Sequence, residues 1–138
     1  MELPKIQFSK WYKWSEQKSI ENIDAPGMYL LAKFKDVPVG NADVLDKNII
    51  YIGETCNRTI KRRLYEFNNS AFRSKDGHSG GWTYNETFKN KGDDLYVAAL
   101  PVPNLPENIR HSFIRFVERK LILDYAVKYG SQPQLNRK

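Results

Sequence analysis

The sequence predicts a small α/β domain: a three-stranded antiparallel sheet flanked by helices. Three observations carry that expectation. Residues 28–32, 49–52 and 95–100 are apolar or aromatic runs of strand length. Residues 58–68 and Glu107–Tyr129 place apolar side chains at helical spacing. Between the first two strand runs, residues 35–41 supply turn chemistry with Asp36, Pro38, Gly40 and Asn41, so those runs pair antiparallel.

In chain order, residues 1–24 form an N-terminal extension and residues 25–138 the core of a single domain. The extension carries Trp11, Tyr12 and Trp14 interleaved with Lys10 and Lys13. Rings among lysines either cover an edge of the core or stack on bases and grip phosphates. Asp24, Ala25, Pro26 and Gly27 break the chain before the first strand, which contains Gly27-Met28-Tyr29. The second strand ends in Tyr51-Ile52-Gly53, so two phenols come from neighbouring strands. Such a pair serves either the core or one shared site. Asn57 or Thr55 then caps a helix over 58–68, whose buried stripe is Ile60, Leu64 and Phe67. Residues 74–81 are expected to be an irregular polar loop, too rich in glycine for regular structure. The third strand ends at Pro101. Pro106 and Glu107 open the longest helix, and Gly130 ends it near Tyr129. The tail, 132–136, is extended around Pro133.

Composition narrows the classes. A chain of 138 residues with 41% apolar and 28% charged side chains has the make-up of one ordinary globular domain. No run approaches the roughly 18 apolar residues of a membrane span, and the start lacks a signal-peptide core, so no membrane partner and a cytoplasmic location are expected. The single Cys56 excludes an internal disulfide and a zinc site built from several cysteines. A net charge of +6 favours a polyanionic partner, because phosphate contacts release condensed counterions.

Individual residues sharpen this. Glu118 sits on an apolar helix stripe: three and four residues away lie Ile114, Arg115, Leu121 and Ile122, with Tyr125 two turns on. A carboxylate there must be paired, protonated or bound to a cation. Arg115 is the plain pairing partner. In the run Arg58, Lys61, Arg62 and Arg63, helical rotation of about 100° per residue turns Arg62 away from the buried stripe and leaves Arg63 at its edge. From that edge a guanidinium can reach the tyrosines and fork onto a phosphate. His78, in the glycine-rich loop, is either surface decoration or a hydrogen-bonding group of a site.

The order Gly27-Met28-Tyr29, Tyr51-Ile52-Gly53, Arg63-Leu64, Gly77-His78-Ser79-Gly80-Gly81, Glu118 in its helix, and Leu135-Asn136 resembles the GIY-YIG nuclease superfamily, over about residues 27–136. Two departures stand out. Met28 replaces an isoleucine, a volume-conserving swap. Phe67 stands where the family often has His or Tyr, so Tyr65, Lys61 or His78 must supply that contact. The resemblance implies a GIY-YIG-like fold and Mg²⁺-dependent hydrolysis of DNA, double-stranded by expectation, with Mn²⁺ as a substitute ion and no small-molecule cofactor. It assigns catalytic roles to Tyr29, Tyr51, Arg63, His78 and Glu118. Glu118 is also the metal ligand; Gly53, Lys61, Tyr65 and Asn136 are support. With nearly the whole chain taken up by this domain, a stand-alone restriction-type or mobile-element nuclease is expected.

In the mechanism implied, Arg63 and the Glu118-bound ion clamp the phosphate, and Tyr51, placed by Tyr29, takes the water's proton. Arg63, Lys61 and the ion are expected to ease Tyr51 ionisation. Lys61 and a cation-activated water are the alternative bases. The competing readings are a non-catalytic nucleic-acid-binding module and a repair or recombination nuclease.

Overall fold

The computed structural model describes every residue of the chain except Asn90 and Lys138. The elements run β1 (Tyr12–Lys13), a 3-10 turn (Trp14–Ser19), β2 (Gly27–Lys33), β3 (Ile49–Thr55), α1 (Ile60–Arg73), α2 (Ser79–Phe88), β4 (Leu95–Pro101) and α3 (Glu107–Tyr129). All pairings are antiparallel, in the order β1-β4-β2-β3. The predicted pairing of β2 with β3 is present, with Tyr29 opposite Gly53 and Leu31 opposite Tyr51.

The sheet has four strands rather than the three expected. The addition is β1, where Tyr12 pairs Val97 and Lys13 pairs Tyr96. Two residues are too few for any alternation to register in sequence. The extension also supplies core: Phe8 and Trp11 are buried, and Trp11 packs edge-on against Phe34. Of its two readings, covering the core fits Trp11. Trp14 likewise packs on Phe67 and donates its indole N–H to the Asn68 carbonyl Oδ1 at 2.8 Å.

Strand alternation sorts the interior into two layers. Met28, Leu30, Ile52, Ala98 and Leu100 face α3, meeting Phe113, Ile114, Val117 and Leu121. Tyr29, Leu31, Val97 and Ala99 face α1 and α2, meeting Ile60, Leu64, Phe67 and Tyr84. Each such Leu, Ile or Phe contributes about 1.5–3 kcal/mol when fully buried. With both faces covered, β3 is left as an edge where groups from the two layers can meet.

The helix expected over 58–68 runs instead over Ile60–Arg73. Its cap is Thr59, not Asn57 or Thr55: the Thr59 hydroxyl accepts from the Arg62 N–H at 3.0 Å. The stripe continues through Ala71, which keeps the helix packed until Ser74 closes it in the left-handed conformation at φ 54°. The expected irregular loop at 74–81 is corrected as well. Regular structure resumes at Ser79, because the His78 side chain caps α2 by accepting from the Gly81 N–H. The long helix and its end at Gly130 lie where predicted. Among the described residues no helix is long and apolar enough to cross a membrane.

Candidate functional site

The two phenols meet because their strands pair. Tyr29 and Tyr51 are diagonal neighbours on the α1 face of the sheet, ring centroids 6.1 Å apart. Gly53 makes room for them. A Cβ on Gly53 would lie 2.4 Å from Tyr29 Cζ, so only glycine lets that ring lie flat over β3. Burial, then the neighbouring Tyr51, pushes Tyr29 well above the ordinary tyrosine range. Tyr51 is pushed up to about 12, mainly by burial, with Arg63 opposing and Glu118 and Glu54 adding to the rise. Of the charges expected to ease Tyr51 ionisation, Arg63 acts in that direction. Desolvation of the ring outweighs one guanidinium, and Lys61 takes no part.

His78 is not a loop side chain. It is 2% exposed, wedged edge-on against Phe67 at 5.2 Å and Tyr51 at 5.5 Å. Its Nε2 lies 2.8 Å from the Tyr29 hydroxyl, and its Nδ1 accepts from the Gly81 N–H at 3.1 Å. A backbone N–H can only donate, so Nδ1 carries no proton and the neutral ring's hydrogen sits on Nε2. Burial and then Arg63 lower His78 to about 3, which keeps the ring neutral at physiological pH. Nε2–H thus donates to Tyr29, leaving the Tyr29 hydroxyl proton for the Tyr51 oxygen, a contact that lowers the Tyr51 value. The expected contact between His78 and a scissile phosphate or leaving group does not fit this setting, since both ring nitrogens are engaged inside the protein. Its place is behind the tyrosines, packed on Phe67.

Arg63 lies where helical rotation predicts. Its side chain is 20% exposed against 59% for Arg62. Its Nη1 donates to Glu66 Oε1 at 2.9 Å and to the Gly77 carbonyl at 3.2 Å. Glu66 is held below the usual carboxylate range: its burial opposes this, but hydrogen bonds from Arg63 and Arg58 prevail. Arg63, Tyr51 and Glu118 line one cleft of about 280 Å³ with Glu54 and Asn136.

Glu118 approaches from the opposite layer. It is half-buried and has no salt bridge among the described residues, so the alternative of pairing with Arg115 is not realised. Its carboxyl is raised by burial, then by Glu54, with Arg119 pulling the other way. Glu54 is the residue that sequence reasoning missed. It follows Gly53 on the α3 face of β3, and alternation from Ile52 would have placed it beside the helix that carries Glu118. Two carboxylates, one of them unpaired and destabilised as an anion, form an oxygen donor set that suits a hard divalent ion completed by water. Among the described residues no group of three or more His, Cys, Asp or Glu could hold a metal.

Two expected supports lie elsewhere. Lys61 and Tyr65 line a separate groove of about 460 Å³ between the extension and α1, with Trp14 and Asp24. Lys61 approaches Asp24 at 4.0 Å, and the Tyr65 ring carries the Arg62 guanidinium at 5.2 Å. Each is two residues from Arg63, a rotation of about 200° that puts both on the far side of α1. Asn136 is tied to β3 beside Tyr51: its amide accepts from Ile52 N–H and donates to Ile52 C=O, both at 2.9 Å. With Leu135 N–H donating to Ile50, the tail caps part of the β3 edge.

No family model, curated protein or solved structure matches the chain.

Proposed function

We propose that this protein is a Mg²⁺-dependent nuclease that hydrolyses phosphodiester bonds in DNA. The observation that carries the reading is the convergence of Tyr51, Arg63 and Glu118, from one strand and two helices, on one cleft, with Tyr29 directly behind. The resemblance to GIY-YIG nucleases names the same residues. The positive net charge of +6 supports a polyanionic substrate.

Hydrolysis needs a nucleophilic water, neutralised phosphate charge and help for the leaving oxygen, and enzymes lower such barriers by roughly 8–23 kcal/mol. Glu118 and Glu54 would hold a divalent cation, which when bound would supply charge neutralisation for the hydrolysis. Arg63 holds a non-bridging oxygen through donors not used on Glu66 and Gly77. Tyr51 orients the attacking water and takes or relays its proton. Tyr29 donates to the Tyr51 oxygen and so steadies the charge as that proton leaves. His78 holds Tyr29 in this direction.

The test is cleavage of a random duplex DNA pool with Mg²⁺ or with EDTA, in wild type, Arg63→Ala and Arg62→Ala. Products should appear only with Mg²⁺, and Arg63→Ala should slow cleavage by at least about 100-fold while Arg62→Ala changes it little. Uncleaved DNA in Mg²⁺ and Mn²⁺ alike, with binding retained, would leave a non-catalytic binding module as the better reading.

A further inference from the structure

A second, smaller cleft opens on the other side of Arg63. It has a volume of about 250 Å³ and is lined by Glu54, Cys56, Arg58, Arg63 and Arg115, with Thr55 and Asn57. Three arginines from the β3–α1 connection, α1 and α3 thus converge where the lining is mostly polar. Arg58 and Arg63 share one carboxylate, Glu66, each through Nη1. A guanidinium has five N–H donors, so both retain donors for another acceptor. Arg115 is exposed and has no carboxylate partner among the described residues. It lies instead beside Cys56, whose thiol donates to Glu54 Oε2 at 3.1 Å.

Resting on the nuclease reading, we propose that the Arg58–Arg63–Arg115 cleft binds a backbone phosphate of the nucleic acid next to the one cut at Tyr51 and Glu118. A cleft of this size and polarity suits a phosphate and offers no apolar wall for a base. Arg63 borders both clefts, so it ties the two phosphates into one register along the strand. Arg115 is the positioning residue of the outer cleft. It touches no reacting atom.

Two arms separate this proposal from the reading beneath it. In EDTA, fluorescence anisotropy of a labelled duplex against salt reads binding alone. Arg115→Ala should weaken binding about 10- to 100-fold and reduce the slope of log K against log salt by about 0.9, the loss of one phosphate contact. Lys120→Ala, an exposed cation on the same helix, should leave the slope unchanged; an equal loss there would reduce Arg115 to generic charge and overturn the proposal. So would an unchanged slope in Arg115→Ala. Millimolar inorganic phosphate should not mimic the Arg115→Ala loss, and if it does, the cleft is a free-phosphate site instead. In the second arm, cleavage with Mg²⁺ should show KM raised by a similar factor in Arg115→Ala with kcat within about twofold of wild type. A fall in kcat with KM intact would overturn the positioning role. Wild type that binds with this Arg115 dependence but never cleaves would remove the nuclease reading and leave the phosphate cleft standing.

Discussion

Replacing Tyr51 by Phe removes one oxygen from a ring that β3, His78 and Gly80 already hold in place. A Cβ on Gly80 would lie 2.8 Å from the Tyr51 ring, so the ring has little freedom to shift once its hydroxyl is gone. The phenol is pushed up to about 12. At pH 7 that leaves about one molecule in 10⁵ ionised, and forming the phenolate costs about 7 kcal/mol at 1.36 kcal/mol per unit. If Tyr51 must lose its proton for the water to attack, single-turnover cleavage in Mg²⁺ should rise about tenfold per pH unit from pH 6 to 9. A plateau in that range appears only if the bound cation lowers the phenol by several units. Tyr51→Phe should lose about 10²–10⁴-fold in rate, the scale of general-base catalysis, and the pH limb should flatten. DNA affinity should change little, because phosphate binding rests on the arginines. A Phe variant that cuts at near wild-type rate with the same pH slope would refute the reasoning. Lys61 is not the replacement base, since it sits at Asp24 on the far side of α1.

The other predictions concern the scaffold. His78 titrates at about 3 in the fold against an ordinary 6.5, so between those values the unfolded chain binds more protons and stability falls as pH drops. Integrated over the window this reaches about 3–5 kcal/mol. Denaturant midpoints from pH 7 to pH 4 should therefore fall steeply in wild type and less steeply in His78→Asn, which keeps an acceptor for Gly81; parallel curves would contradict the buried neutral ring. Gly53→Ala should destabilise by about 1–3 kcal/mol, because its Cβ would overlap a fully buried Tyr29 ring. A thermal midpoint equal to wild type would mean that Tyr29 does not lie over β3 as described.

Much of the site is legible in the chain because it rests on strong periods. Helical rotation separates Arg63 from Arg62, and an apolar stripe singles out Glu118. The strands are equally plain where they are seven residues long and invisible at β1, which has two. α2 escaped for a different reason. Its buried face is Gly80, Gly81, Thr83 and Tyr84, and a glycine that packs by having no side chain gives hydrophobic periodicity nothing to detect. The burial of His78 went with it, since the histidine is the cap of that helix. A signal was present in Tyr84 and Phe88 four residues apart, following a capping side chain and two small residues. The distance between Lys61 and the site follows from the same rotation that placed Arg63, two residues and about 200° further around α1. Tyr51's high value was not legible at all. It depends on how completely neighbouring layers desolvate one ring.

The central claim is that Glu118 gathers a cation that the cleft needs for hydrolysis, and one paired measurement reaches it. Wild type and Glu118→Gln are heated with and without Mg²⁺, and the same samples are given labelled duplex DNA. Burial and Glu54 disfavour the Glu118 anion in the ion-free protein, so Gln should melt no lower than wild type in EDTA. Mg²⁺ should raise the midpoint of wild type alone, and only wild type should cut. Equal cleavage by Glu118→Gln, or cutting by wild type in EDTA, would contradict the account.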